Sequence, residues 1–411
     1  MINVEPTIYR LDNGLRVVYL HDPSMVAHLG VTVLAGSRFE REDENGLAHF
    51  LEHCIFKGTY KRKAFHVLSR LDSVGGELNA YTTKEEICIY GAFSREHLNR
   101  TSELLADITF NSNFPVKEIE KEKEVILDEI NAYLDSPADK IFDDFEAYLF
   151  EGNALGNNIL GTEESVRSFT REHLLNYVER FFYPENMVLS FVGDLPAKKV
   201  ISRLNKDFGQ IAANGIKQTP VTPKQRAPFS IETDEANYQT HIMIGGTAPG
   251  YDDLRRRVMI LLINILGGPA LNSRLILSIR EKYGYSYNIE ASYTPYQETG
   301  YWFVYAGTDP KNKKKILHLI RKEISRFIQE PLTSNQLQRA KLQLKGHMAL
   351  SMDSNSGLML NFGKSLLVFD QIDTLQEIYE HIDSITADEI RTVAAEYFSP
   401  ENLSTLIFDV K

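Results

Sequence analysis

The stretch Ser168-Phe169-Thr170, which runs on to Phe182-Tyr183-Pro184-Glu185-Asn186, recurs 216 residues later as Ser384-Ile385-Thr386 and Phe398-Ser399-Pro400-Glu401-Asn402. Each copy predicts a helix that starts at a Ser-x-Thr cap, then a Pro-Glu-Asn turn, then an apolar strand. A chain of 411 residues is also too long for one ordinary core and favours about two domains. The repeat therefore predicts two domains of the same fold.

A polar, proline-bearing connection separates the two copies. Asn214-Gly215 and Thr219-Pro220-Val221-Thr222-Pro223, continuing to Pro228, have the composition of a linker. We therefore predict a first domain over residues 1-213, a linker over 214-228 and a second domain over 229-411.

Runs of strands and runs of helices alternate along the chain. Thr7 to Leu20 predicts two short strands around Asp12-Asn13-Gly14, which is a strong hairpin signal, and His28 to Leu34 predicts another apolar strand. A helix follows, then a turn at Gly75-Gly76 and strands over Leu78 to Phe93. This order indicates α+β domains, each an antiparallel sheet covered by helices mainly on one face.

The first copy contains His49-Phe50-Leu51-Glu52-His53. On a helix, His49, Glu52 and His53 project to the same side. A lone histidine on an apolar helix is more often a packed core residue, but three polar groups at these offsets among apolar neighbours indicate a shared purpose. Two neutral imidazoles four residues apart suit Zn²⁺, and a carboxylate that does not bind the metal can accept a proton from water. The order H-x-x-E-H is the inverzincin signature.

The second copy lacks this polar face. Aligned at an offset of 210, Met259, Leu262 and Ile263 stand where the first copy has its two histidines and its glutamate. The motif therefore predicts a metal site in the first domain only, and the second copy was free to take another task.

A third protein ligand would leave an open position on the metal, and a helix predicted over Val116 to Leu134 offers candidates. Glu122, Asp128 and Glu129 are carboxylates on neighbouring turns, and spacing alone does not choose among them. Most other acids of this helix alternate with lysines, which is typical of a solvated face.

These motifs resemble the pitrilysin family of metallopeptidases, which includes insulin-degrading enzyme and the mitochondrial processing peptidases. In that family the H-x-x-E-H motif is followed by a glutamate of an E-x₆-E pair, and a count of 76 residues from His53 reaches Glu129, with Glu122 seven residues earlier. The resemblance implies that His49, His53 and Glu129 bind one Zn²⁺ per subunit, while Glu122 orients the site and assists catalysis.

Two further segments carry the resemblance. Gly75-Gly76-Glu77-Leu78-Asn79-Ala80-Tyr81-Thr82 is similar to the family's G-G-x-x-N-A-x-T strand, whose edge receives substrate, and this implies substrate contacts at Asn79 and Ala80. Ile279 to Tyr287 is similar to L-R-E-K-x-G-x-x-Y, whose Arg and Tyr hold the bound peptide, and this implies roles for Arg280 and Tyr287. A guanidinium can bond a carbonyl, and a phenol can stabilise an oxyanion. Without the resemblance, a surface arginine at a helix end and a strand aromatic packed on the sheet explain Arg280 and Tyr287 equally well.

The resemblance implies a zinc-dependent metalloendopeptidase that hydrolyses extended or unstructured peptides inside a closed chamber, with Glu52 as general base. It also implies two subunits that close like a clam shell. We expect a homodimer in which each site combines the zinc face of one subunit with Arg280 and Tyr287 of the other; a heterodimer with an inactive homologue is the alternative. Two other functions remain open, a non-catalytic peptide-binding or scaffold subunit and a zinc hydrolase of a non-peptide amide.

Composition narrows the remaining partners and the compartment. The formal net charge of −11 disfavours nucleic acid, because like charges repel. The chain has no apolar run long enough to span a bilayer and no signal-peptide pattern at its start, so we expect no membrane partner. Two cysteines, Cys54 and Cys88, fit a reducing compartment. The expectation is a cytoplasmic enzyme.

Overall fold

The computed structural model describes residues 5–213, 219–224 and 226–411. Its contacts form two compact units, of which the first comprises Met1–Ile130, Asn157–Val221 and Leu350–Thr374. The second comprises Asn131–Gly156, Thr222–Ala349 and Leu375–Lys411. Of the predicted linker, residues 214–218 and 225 lie outside the described residues, and 219–224 and 226–228 contain neither helix nor strand.

The strands are β1 Thr7–Arg10, β2 Arg16–His21, β3 Val26–Val33, β4 Glu77–Thr82, β5 Ile87–Ser94, β6 Met187–Gly193, β7 Ser230–Glu235, β8 Thr240–Ala248, β9 Asn288–Pro295, β10 Gly300–Thr308 and β11 Ser404–Val410. The helices are α1 Leu47–Ile55, α2 Ala64–Asp72, α3 Leu98–Phe110, α4 Val116–Leu134, α5 Pro137–Leu149, α6 Glu163–Ser168, α7 Arg171–Phe181, α8 Ala197–Phe208, α9 Arg255–Gly267, α10 Lys313–Gln329, α11 Ser334–Ser351, α12 Asn355–Phe369, α13 Leu375–Ser384 and α14 Ala387–Tyr397. No helix in the described part of the chain combines the length and the apolar character needed to cross a bilayer.

The two sheets have the same topology. The first has the order β1-β2-β6-β3-β5-β4 and the second β7-β11-β8-β10-β9, so the orders correspond strand for strand once β1 is set aside. Each sheet is antiparallel apart from one parallel pair, β2 with β6 and β7 with β11. The parallel pairs form because the last strand of each unit returns after a long helical crossover. The predicted α+β fold with two homologous domains is confirmed.

The repeated helix starts are also present. Thr170 caps α7 and Thr386 caps α14, each in a reciprocal capping box with the residue three positions on. At the offset of 210, α9 takes the place of α1, and there Met259, Leu262 and Ile263 are buried in the core of the second unit. In the second copy, buried apolar side chains therefore occupy the helix face that carries polar groups in the first copy.

Each sheet is covered by a helical layer on one face and by a single helix on the other. In the first unit the layer includes α1, α2, α3, α7 and α8, and α12 packs Leu358 and Met359 against Val18 and Val188 on the opposite face. In the second unit the layer includes α9, α10 and α14, and α5 covers the opposite face. Both single helices come from the other half of the sequence, so the spatial units are not contiguous segments.

Candidate metal centre

The helix that carries the H-x-x-E-H motif has an unusual start. Gly46 lies in the left-handed region, with φ of 94°, and a Cβ on it would lie 2.7 Å from the Cα of Gly161. Glu40, only 8% exposed, caps the helix from upstream: its Oε2 accepts from the Gly46 N–H at 3.0 Å and its Oε1 from the Ala48 N–H at 2.7 Å. Burial raises the pKa of Glu40 to about 8, against the two backbone N–H groups, which lower it. This cap anchors the first turn of the helix.

Three of the predicted residues converge on one point. The Nε2 atoms of His49 and His53 lie 3.8 and 3.6 Å from Oε2 of Glu129 on α4. One ligand atom from each residue can be chosen so that all three lie within 4.8 Å of one another. Zinc bound at about 2.0–2.2 Å to ligands in tetrahedral directions separates them by about 3.3–3.6 Å. Two imidazole nitrogens and one carboxylate oxygen at this spacing fit a zinc ion.

The two histidines differ in their electrostatics. Burial, aided by the nearby charge of His53, lowers the pKa of His49 to about 4. Burial also disfavours the charged form of His53, but the hydrogen bond with Glu122 and the charges of Glu129, Glu122 and Glu52 outweigh it and raise its pKa. His49 is therefore neutral and able to bind a metal at neutral pH, whereas His53 releases its proton less readily.

Glu122 contacts His53 from the side away from Glu129. Its Oε2 lies 3.3 Å from Nδ1 of His53, and its Oε1 lies 2.8 Å from Nζ of Lys57. Burial raises the pKa of Glu122, but the hydrogen bonds from His53 and Lys57 more than offset this and leave it below its ordinary value. The carboxylate expected to support the site is thus ionised and in contact with a histidine of the motif.

Glu52 lies on α1 between the two histidines and is half-buried. Across the residues that the structure describes, it makes no hydrogen bond or ion pair. A carboxylate beside a metal site that has no partner of its own is available to exchange a proton with a bound molecule.

Asn79 and Ala80 lie on β4, the edge strand of the first sheet. The N–H of Ala80 donates to Oδ1 of Asn79 at 2.8 Å. Arg280 and Tyr287 belong to the second unit. Arg280 lies in a π-helical turn over Ile276–Glu281, a geometry often found at functional sites, and its Nε lies 3.4 Å from Glu281.

Tyr287 directly precedes β9 and is 82% exposed, although its backbone neighbourhood is well anchored. The Ser286 hydroxyl is 2.8 Å from the Gly307 carbonyl oxygen, and the Thr308 hydroxyl donates to the Tyr285 carbonyl at 2.7 Å. The side chain of Tyr287 is therefore exposed to solvent on a hydrogen-bonded backbone.

Sequence reasoning missed two residues that shape this centre, Glu40 and Lys57. Lys57 stands four residues after His53 but two residues beyond the end of α1, so the spacing rule for helices does not pair the two side chains. Glu40 gave no signal either, because it caps the helix through a loop rather than from the N-cap position.

Comparison with known proteins places this chain in a family. Residues 16–163 match the family model described as insulinase (peptidase family M16), and residues 168–344 match the model described as peptidase M16 inactive domain. The uncharacterized zinc protease YmxG of Bacillus subtilis (strain 168) is 31% identical over 402 residues, which cover 97% of each chain. The chain belongs to peptidase family M16. The first M16 model spans the half that holds His49, His53 and Glu129.

Solved structures share the M16 fold over the full length. A protease from Helicobacter pylori matches with a TM-score of 0.89 and 20% identity over 99% of both chains. A peptidase M16 inactive domain from Pseudomonas fluorescens matches with a TM-score of 0.90 and 16% identity, over 99% of this chain and 98% of that one. At these identities the likeness establishes the fold alone.

Proposed function

We propose that this M16 chain is a zinc-dependent metalloendopeptidase with Glu52 as its general base. One observation carries the proposal: the Nε2 atoms of His49 and His53 face one carboxylate oxygen of Glu129, and Glu52 lies on the same helix between the two histidines. A scaffold subunit has no need of this combination.

His49, His53 and Glu129 would hold one zinc ion per subunit, which would polarise the scissile carbonyl and make a nearby water more acidic. Glu52 accepts a proton from the attacking water and passes it to the leaving amine. The phenol of Tyr287 donates to the oxyanion that forms, and Arg280 donates to a substrate carbonyl.

The substrate is an extended or unstructured peptide that adds to the edge of β4. Main-chain hydrogen bonds along an edge strand read shape more than side-chain identity. The Ala80 N–H now donates to the side chain of Asn79, and a peptide carbonyl would replace that acceptor. Asn79 thus covers an edge group that an exposed strand would otherwise offer to any partner.

The proposal includes a homodimer that encloses a chamber. Each composite site would use His49, Glu52, His53 and Glu129 of one subunit with Arg280 and Tyr287 of the other. The exposed, anchored Tyr287 supports this arrangement, because it is presented to solvent rather than packed into its own unit.

Glu52→Gln tests the function, with Glu124→Gln on the exposed part of α4 as the matched control. We expect both variants and the unmodified protein to carry one zinc per chain by metal analysis. Hydrolysis of an unstructured peptide should fall by about 100-fold or more in Glu52→Gln only. Undiminished hydrolysis in Glu52→Gln would refute the general-base assignment. A protein that binds peptide, binds no zinc and hydrolyses nothing would be a scaffold subunit. Cleavage confined to small amides would show that the substrate is a non-peptide amide.

A further inference from the structure

We propose that Lys57 is a positioning residue of the zinc centre, which acts through Glu122 to hold the ring of His53. The inference rests on the zinc site proposed above. Lys57 contacts Glu122, and Glu122 contacts the proposed metal ligand His53, so Lys57 itself touches neither the metal nor the substrate.

The chain of contacts is continuous. Nζ of Lys57 lies 2.8 Å from Oε1 of Glu122, and Oε2 of the same carboxylate lies 3.3 Å from Nδ1 of His53. On its other side the His53 ring presents Nε2 to Glu129 at 3.6 Å. The side chains of Lys57 and Glu122 are 25% and 9% exposed, so water screens their attraction only in part.

This geometry sets the orientation of the imidazole. A carboxylate rotates about its last bond, and anchoring one of its oxygens with Lys57 turns the other toward Nδ1 of His53. An Nδ1–H that donates to this oxygen leaves the lone pair on Nε2, which is the nitrogen that faces Glu129. Lys57 therefore determines, through one intervening residue, which nitrogen of His53 is offered to the metal.

The other histidine has no such support. Nδ1 of His49 is buried and, among the residues described, has no hydrogen-bond partner. Its ring packs against that of His53, with the centroids 4.7 Å apart. Because the ring of His49 packs against that of His53, the contacts that run from Lys57 through Glu122 to His53 affect the orientation of both imidazoles.

Two lysines of α4, Lys121 and Lys123, pair with carboxylates other than Glu122. Nζ of Lys121 lies 2.9 Å from Glu118, and Nζ of Lys123 lies 2.9 Å from Glu120. The Lys121–Glu118 pair is exposed and joins residues three apart on one helix, so it is a matched control of the same chemistry away from His53.

Zinc affinity, measured by competition with a chromogenic chelator, tests the inference in Lys57→Met, Lys57→Arg and Lys121→Met. We expect Lys57→Met to weaken zinc binding about tenfold, Lys57→Arg to restore most of the loss, and Lys121→Met to match the unmodified protein. The visible absorption bands of the cobalt-substituted protein should change in Lys57→Met and not in Lys121→Met. Thermal unfolding of the chelator-treated proteins should give similar midpoints for the two methionine variants.

A double-mutant cycle separates positioning from simple helix attachment. In the Glu122→Gln background, Lys57→Met should cause no further loss of zinc affinity, because its intermediary is gone. The same additional loss in that background, or an affinity for Lys57→Met equal to that of the unmodified protein, would overturn the inference. Should Lys57→Met fail to fold, Lys57→Gln carries the same comparison. An unmodified protein that binds no zinc would instead contradict the proposed function itself.

Discussion

Gly46 and Gly161 meet backbone to backbone where α1 begins. A Cβ on Gly46 would lie 2.7 Å from the Cα of Gly161, and a Cβ on Gly161 would lie 2.9 Å from the Cα of Gly46. Both residues have positive φ, 94° and 78°. The helix that carries the H-x-x-E-H motif therefore contacts the loop before α6 at a distance that only two glycines permit.

Gly46→Ala should destabilise the protein more than Gly14→Ala does. Both glycines have positive φ, but Gly14 faces open space, so alanine there brings only the left-handed strain of about 1 kcal/mol. At Gly46 the collision adds to this strain, for a total of about 2–4 kcal/mol. Urea unfolding followed by circular dichroism compares the two, and zinc content should fall only in Gly46→Ala. Equal losses of stability would contradict the close approach.

Glu129→Gln should weaken zinc binding more than Glu122→Gln, and Asp128→Asn should leave it unchanged. Glu129 supplies one oxygen that lies within 3.8 Å of the Nε2 atoms of both histidines, whereas Glu122 contacts only Nδ1 of His53 and Asp128 is exposed. We expect a loss of roughly 10–100-fold for Glu122→Gln and a larger one for Glu129→Gln. Chelator competition gives the ranking, and a larger loss for Glu122→Gln or Asp128→Asn than for Glu129→Gln would reassign the third ligand.

Zinc binding should weaken as the pH falls, because the binding of each zinc ion releases one proton. A metal needs neutral imidazoles, and the raised pKa of His53 keeps it protonated to a higher pH than usual. His49 stays neutral down to pH about 4. The apparent affinity should therefore fall about tenfold per pH unit below the pKa of His53, with a slope of one. Glu122→Gln should move the onset to lower pH, because the partner that raises this pKa is lost. A slope of two between pH 5 and 7 would argue against the assignment.

Mixing two inactive variants tests the composite site. Glu52→Gln and Arg280→Ala subunits, exchanged at equal amounts, give heterodimers as about half of all dimers, each with one intact site of its two. Activity should therefore return to about a quarter of that of the unmodified enzyme. Sedimentation velocity under the assay conditions must show a dimer. A monomer, or exchanged dimers without activity, would rule out sites shared between subunits.

The sequence predicted the features that depend on local spacing. The helix expected over Val116 to Leu134 is α4, and the hairpin expected at Asn13-Gly14 joins β1 and β2. The pairing of His49 and His53 could be predicted because a fixed offset on a helix determines which side chains share a face. The choice of Glu129 over Asp128 needed the family resemblance, since spacing left both open. The proximity of Glu129 to the histidines agrees with that choice and leaves its role as a ligand to the experiments above.

Features that depend on distant partners could not be predicted. The apolar positions Ile141, Phe145 and Leu149 give α5 a buried face, but periodicity does not say which sheet covers it. The pairing of Lys57 with Glu122 joins residues 65 positions apart, and among the many acids of α4 nothing in the sequence marks Glu122 as its partner.

Because α5 and α12 each pack in the unit that consists mainly of the other half of the sequence, the repeats in the sequence do not coincide with the spatial units. A polypeptide ending near residue 213 would leave Val18, Leu20, Val188 and Val192 without the helix that shields them, and such a surface invites aggregation. A damaging change at Phe362, in the half that lacks the H-x-x-E-H motif, would loosen the packing of α12 on the first sheet. A destabilising substitution in either half of the sequence can therefore weaken the unit that consists mainly of the other half, and no single cut between the two copies leaves both units complete.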